Sequence, residues 1–199
     1  METVSCDKEG QMSELVARTG RLQQRYEDGC RLIAGCIPFR YRSPLEGDGA
    51  IDGKTVEVLM INSTSGPGLV FPKGGWEDDE TVEAAAIREA IEEAGVKGDL
   101  LDLLGCYDFK SKTLQDENCP GGLCKAAMFA LHVREELQSW PEQNTRQRSW
   151  LTIPEALVSC RHDWMRRALN EGFVKWHANH VAGSSNEEDN VQVPAFAGE

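Results

Sequence analysis

At 199 residues the chain is long enough for one domain with tails and short for two, so a single domain is expected. Its 40% hydrophobic and 27% charged residues are globular values, which exclude collagen, coiled coil and wholesale disorder. The formal charge of −12 argues against coating nucleic acid or an anionic membrane through bulk charge, so neither is expected as a partner.

Seven cysteines, an odd number spread through apolar and loop contexts, point to free thiols in a reducing compartment. The opening METVSCDKEG is polar and acidic and lacks a signal-peptide pattern. No apolar run approaches the roughly 18–20 residues needed to span a bilayer. A soluble intracellular monomer of cytoplasm or nucleus is the expectation.

Residues 1–28 show no trustworthy periodicity and read as a flexible arm, in which Met12–Arg25 sets Arg18, Arg21 and Arg25 against Glu14. CRLIAGCIPFRYR (Cys30–Arg42) reads as a strand, with Pro38 marking a bulge or an edge. A Gly- and Asp-rich loop through Gly47–Gly53 precedes TVEVLMIN (Thr55–Asn62), a second strand pairing with the first. The turn NSTSGPG and the short strand LVFP lead into Lys73-Gly74-Gly75. Over Thr81–Ala94 the period is helical, with Ala84, Ile87, Ile91 and Ala94 on one face, the acids on the other and Gly95 as C-terminal cap. Strands follow at Leu101–Phe109 and Ala126–Val133 around the loop QDENCPGGLC, then RQRSWLTI, then helices near Pro154–Cys160 and Asp163–Asn179. The acidic end Gly183–Glu199 reads as a disordered tail, leaving 29–182 as the folded domain. This order describes an α/β fold: a mixed sheet with helices packed on it.

Within the helix, Glu89, Glu92 and Glu93 fall at i, i+3 and i+4, so three carboxylates crowd one face. Like charges at that spacing destabilise a helix unless something compensates, and hard divalent cations such as Mg²⁺ take oxygen ligands. Glu80 stands where a loop could return a fourth carboxylate over that face. Arg88 can reach Glu92 one turn on and fix the carboxylate rotamers.

Gly74, five residues, Glu80, seven residues, then Arg88-Glu89-Ala90-Ile91-Glu92-Glu93-Ala94-Gly95-Val96 is the Nudix box in full, with Ala90 the one soft position. Seven specified residues match by chance about once in a million chains of this length. The chain is therefore identified as a member of the Nudix hydrolase family, which implies an α/β/α sandwich. FPKGGWE, YDFKSK, MFAL, WPEQ and RSWL resemble plant members of the diphosphoinositol-polyphosphate phosphohydrolase group, over roughly Thr19–Leu169. That resemblance implies hydrolysis of diphosphoinositol polyphosphates and, in many members, diadenosine polyphosphates, and it admits the mitochondrion as a compartment. It also implies roles. Glu89 and Glu93 would be metal ligands for Mg²⁺ (or Mn²⁺ in its place), with the Gly74 carbonyl and Glu80 as further oxygens. Glu92 would take the proton from water, and Arg88 would orient.

A polyphosphate substrate needs cations. Candidates are Lys73 beside Gly74 and Gly75, then Arg21, Arg25, Arg31, Arg40, Lys110, Lys112, Arg146 and Arg148. Any one of these is as readily an ordinary surface cation. Cys119 and Cys124 have metal-like spacing without a second ligand pair, and read as a loop. His162, His177 and His180, with Trp140, Trp150 and Trp164, read as packing residues. The enzymatic alternative is another nucleoside diphosphate derivative, such as ADP-ribose, a dinucleotide or an oxidised nucleotide. The non-enzymatic one is a silent polyphosphate-binding module, disfavoured because no box glutamate is missing.

Charge location sharpens the total. Glu77–Glu93 carries −7 and Gly183–Glu199 carries −4, whereas Arg18–Arg42 is +4. An acidic cradle facing a basic collar is the expectation.

Overall fold

A computed structural model describes residues 17–18, 23–42, 55–111 and 119–184. The strands are β1 (Tyr26–Glu27), β2 (Cys30–Arg42), β3 (Thr55–Asn62), β4 (Leu69–Val70), β5 (Lys73–Gly75), β6 (Val96–Lys110), β7 (Leu123–Glu136) and β8 (Arg148–Thr152). The helices are α1 (Val82–Ala94), α2 (Ile153–Ser159), α3 (Asp163–Arg167) and α4 (Val174–Ser184), with a π-helical turn, Ala168–Phe173, joining α3 to α4. Of the expected features, the loop around Gly47–Gly53, Arg21, Lys112 and most of both tails lie outside the described residues.

The sheet runs β4-β3-β2-β7-β6, with β1 and β5 also on β2 and β8 on β3. It is mixed: β2 and β7 are parallel from Arg31↔Cys124 to Phe39↔His132, and the other pairs are antiparallel. Pro38 is neither at an edge nor in a bulge of β2; it sits opposite Leu131 in the middle of the sheet. The reason is local. On its other side β2 pairs with β5 only through Gly35 and with β3 only from Phe39. Cys36 donates to Pro72 O on that side, and Pro38, two residues on, presents its missing N–H to the same gap.

That gap places the site. β3 stays with β2 only as far as Val58, and the chain through β4 and β5 fills the split. Ala34 pairs with Gly74, and Gly35 must lack a side chain because a Cβ there would lie 2.6 Å from Pro72 O. α1 follows directly and packs back on β2 and β5. On the opposite face Phe39 meets Phe173 and Trp176, and Phe109 stacks on Trp164 at 4.7 Å. The sheet is thus filled between α1 and the α3–α4 helix, with Ile37, Phe39, Leu59, Phe71, Met128, Leu131, Met165, Leu169 and Phe173 fully buried. The π turn brings Gly172 against β6, where a Cβ would fall 2.6 Å from the Tyr107 hydroxyl.

Candidate active site

α1 begins at Thr81, whose hydroxyl accepts the Ala84 N–H at 3.2 Å, and ends at Gly95 in the left-handed region, φ 61°. Its apolar stripe is buried only toward its C-terminal end, where Ile91 is half-buried and Ala94 fully buried. Ala84 and Ile87 are exposed, while Ala85, Ala86, Glu89, Ala90, Glu92, Glu93 and Ala94 go inward. The alternation of alanine with glutamate explains this inversion: small side chains let the helix sit close to β2 and β5, and the carboxylates are turned into the cradle that the β4–β5 segment walls. Gly74 fixes the closeness, since a Cβ there would lie 2.1 Å from Glu89 Oε1.

Glu89, Glu92 and Glu93 are 8%, 7% and 6% exposed. Arg88 binds most of this group. It grips Glu80 with Nε at 3.0 Å and Nη2 at 2.7 Å, donates from Nη2 to Gly75 O at 2.8 Å, and from Nη1 to Glu89 at 2.6 Å and Glu92 at 3.4 Å. Glu80 also accepts the Glu77 N–H at 3.2 Å, so it backs the arginine rather than standing open. Glu93 accepts the Lys73 N–H at 2.8 Å and a bond from Arg146 Nη2. Glu92 Oε1 accepts the Arg18 N–H at 3.2 Å.

Burial and crowding set the protonation of these groups. Desolvation, then the Glu93 charge, pushes the Glu89 carboxyl up to about 8 despite Arg88. Glu93 and Glu92 are also raised by burial, against the pull of Lys73 and Arg146 on the first and Arg88 on the second. Burial acts on Glu80 too, but the Arg88 fork and the Glu77 N–H outweigh it and hold that carboxyl below its ordinary value.

Such a donor set fits a hard divalent cation. Three carboxylates of one helix are buried together, Glu89 against a backbone segment that a Cβ would close, and for Glu89 desolvation and the Glu93 charge outweigh the pull of Arg88. Among the described residues no three acidic, histidine or cysteine side chains converge on one point, because each glutamate is turned onto an arginine or an N–H.

Not every expected phosphate ligand reaches this cradle. Lys73 faces Glu93 and Arg146 bonds it, whereas Arg31 is buried against Gly75, on the side of β5 away from Glu89, and bonded to Gln24 at 2.7 Å. Arg25 instead stacks on Trp76 and donates to Glu77 O and Asp78 O at 3.0 and 2.7 Å, fastening the segment before α1. Arg40 is held by Glu57 and Glu136 over the Trp150 ring, and Arg148 stacks on Trp140 and donates to Gly95 O and Leu137 O. Lys110 is exposed at the end of β6.

Two residues missed in the sequence complete the site. Glu142, in the segment between β7 and β8, donates its N–H to Glu92 O at 3.1 Å and accepts from Arg146 Nε at 2.9 Å. Asn62 O accepts from Arg146 Nη1 at 3.0 Å. The spacing of Glu142 and Arg146 at i, i+4 was a faint local signal, but nothing in the sequence links either to Glu93. Cys119 and Cys124 are buried, their thiols donating to Leu123 O and Gly122 O. A separate cavity of about 420 Å³, rimmed by Glu27, Asp28, Asp108 and Lys125, shares no residue with the cradle and is too acidic for polyphosphate.

The molecule is thus a mixed sheet between helices that carries a glycine-walled glutamate cradle on its first helix. The NUDIX domain family matches residues 49–176, and the chain belongs to that family as a Nudix hydrolase. It is 68% identical over 166 residues to Nudix hydrolase 16, mitochondrial, of Arabidopsis thaliana, covering 83% of this chain and 92% of that one. It is 36% identical over 170 residues to the mouse diphosphoinositol polyphosphate phosphohydrolase 3-alpha, covering 81% and 92%. Among solved structures, a mutT/nudix family protein from Listeria innocua superposes with a TM-score of 0.54 at 19% identity, covering 79% and 99%. The C. elegans Ap4A hydrolase binary complex gives 0.52 at 21%, covering 74% and 98%; both likenesses bear on the fold. Nudix hydrolases act on small molecules and generally use divalent metal ions.

Proposed function

We propose that this chain is a Mg²⁺-dependent pyrophosphohydrolase of diphosphoinositol polyphosphates, with diadenosine polyphosphates as a second substrate class and Mn²⁺ as a substitute ion. The observation that carries the reading is the buried trio Glu89, Glu92 and Glu93, with Glu89 packed against Gly74. The substrate class draws support from the mouse relative's name. The Arabidopsis relatives named mitochondrial make that compartment the first place to look.

Glu89 and Glu93, with the Gly74 carbonyl, would hold the ion. When bound, it supplies neutralisation of phosphate oxygens and acidified water. The rest is the work of the chain. Glu92 takes the proton from the attacking water, its carboxylate steered by Arg88 from one oxygen and the Arg18 N–H on the other. Arg88 also fixes Glu89 and, through Glu80, the turn that leads into α1. Lys73 and Arg146 stand at the rim to bind phosphate oxygens, Arg146 exchanging Glu93 for substrate.

The test is a side-by-side kcat/KM panel with Mg²⁺: a diphosphoinositol pentakisphosphate, diadenosine hexaphosphate and ADP-ribose. The diphosphoinositol compound is expected to lead; a lead for ADP-ribose would reassign the substrate to a nucleoside diphosphate derivative.

A further inference from the structure

Arg18 lies outside the box and outside the folded core, yet the chain at this point reaches the rim of the cradle. Its N–H meets Glu92 Oε1 at 3.2 Å, so the residue sits directly beside the proposed base. Its guanidinium swings away to the turn before α1, where Nη1 bonds Glu77 at 2.6 Å and Asp79 at 2.9 Å. The neighbouring arginines are held differently. Arg25, Arg88, Arg146 and Arg148 each donate to backbone carbonyls, which cannot turn away, and Arg88 and Arg146 are only 13% and 11% exposed. Arg18 is 39% exposed, and among the described residues its guanidinium is held by side-chain carboxylates alone, that of Glu77 17% exposed and that of Asp79 45%. Ion pairs of that kind are weak and exchangeable. A phosphate group offers the same fork of oxygens with more charge, and an arginine takes it in preference to a solvated carboxylate.

We propose that Arg18 is a specificity-determining residue: on substrate binding its guanidinium leaves Glu77 and Asp79 and takes a phosphate group away from the reacting anhydride, so that the site favours densely phosphorylated substrates over two-phosphate ones. The inference rests on the polyphosphate-hydrolase reading above. Its chemistry is exchange of one anion for another on a single guanidinium, with no covalent bond broken.

Kinetics on a diphosphoinositol pentakisphosphate test it, together with calorimetric binding of inositol hexakisphosphate and of ADP in chelator. Arg18→Ala, which keeps the backbone N–H that meets Glu92, should raise KM about tenfold, by more than any change in kcat, and weaken inositol hexakisphosphate binding similarly while leaving ADP binding as it was. Arg18→Lys should recover part of the loss, and Glu77→Gln with Asp79→Asn should lower KM by freeing the guanidinium. An unchanged KM in Arg18→Ala, or equal losses for inositol hexakisphosphate and ADP, would overturn the assignment while the wild type still turns over. A fall in kcat alone would also overturn it, since that is what loss of the Glu92 contact by itself produces. A wild type without turnover of the diphosphoinositol compound would remove the parent reading, and this one with it.

Discussion

Glu89 keeps its proton to about pH 8 because it is desolvated beside a second buried carboxylate, and a divalent ion has to displace that proton to bind. Apparent affinity for Mg²⁺ should therefore tighten as pH rises from 6 toward 8 and level off above. Calorimetric titration at pH 6, 7 and 8 checks this, and Glu89→Gln, which has no proton to lose, should bind weakly with a flatter profile. A wild-type affinity independent of pH over that range would show that Glu89 is not a ligand. The i, i+3, i+4 spacing of the three glutamates, and the reach of Arg88 to Glu92, could be read directly because neighbours along a helix are fixed by its geometry. The bond of the Glu142 N–H to Glu92 O, that of Asn62 to Arg146 and the destination of Arg25 could not, because each joins segments tens of residues apart and leaves no local pattern.

For α1 as an element, the stripe of Ala84, Ile87, Ile91 and Ala94 suggested the buried face, yet Ala84 and Ile87 are exposed and the three glutamates go inward. Hydrophobic periodicity assumes that carboxylates face water, and it fails where the helix exists to carry them inward. The caps were legible, since Thr81 and Gly95 act through their own backbone neighbours. Thr81→Ala should cost about 1 kcal/mol by denaturant melting, with kcat little changed. Gly74→Ala should do the reverse. Its Cβ would fall 2.1 Å from Glu89 Oε1, which Arg88 pins at 2.6 Å, so the carboxylate must leave its place. At least a tenfold fall in kcat is expected with the far-ultraviolet dichroism intact, and a wild-type kcat would show that the close approach of β5 to α1 is unimportant. Strand positions of β2 and β3 followed from composition, whereas Pro38 did not, since its tolerance depends on a gap between two partner strands that only the assembled sheet creates.

At the scale of the whole molecule −7 of the −12 charge falls on Glu77–Glu93, and the fold buries three of those acids, Glu89, Glu92 and Glu93. This gives the metal-free protein an inverted pH dependence. Glu89 has an ordinary value of 4.5 and a folded value near 8, so between those limits the folded chain binds a proton that the unfolded chain has released. Stability in chelator should then fall as pH rises from about 5 to 8, with Glu92 and Glu93 shifted in the same direction. Glu80 opposes this only at acid pH, where its lowered value means that stability is lost as pH falls below the ordinary carboxylate range. Melting temperatures at pH 5, 6, 7 and 8 should decline in chelator and flatten in millimolar Mg²⁺; a rise with pH in chelator would contradict the buried-carboxylate account.

The central claim is that these glutamates perform the hydrolysis, and the most direct test is phosphate release from a diphosphoinositol pentakisphosphate in Mg²⁺ by the wild type, Glu92→Gln and Glu93→Gln. The account predicts turnover by the wild type and a loss of about a hundredfold or more in kcat for each variant, with unchanged far-ultraviolet dichroism. Near-wild-type turnover by both variants would contradict it.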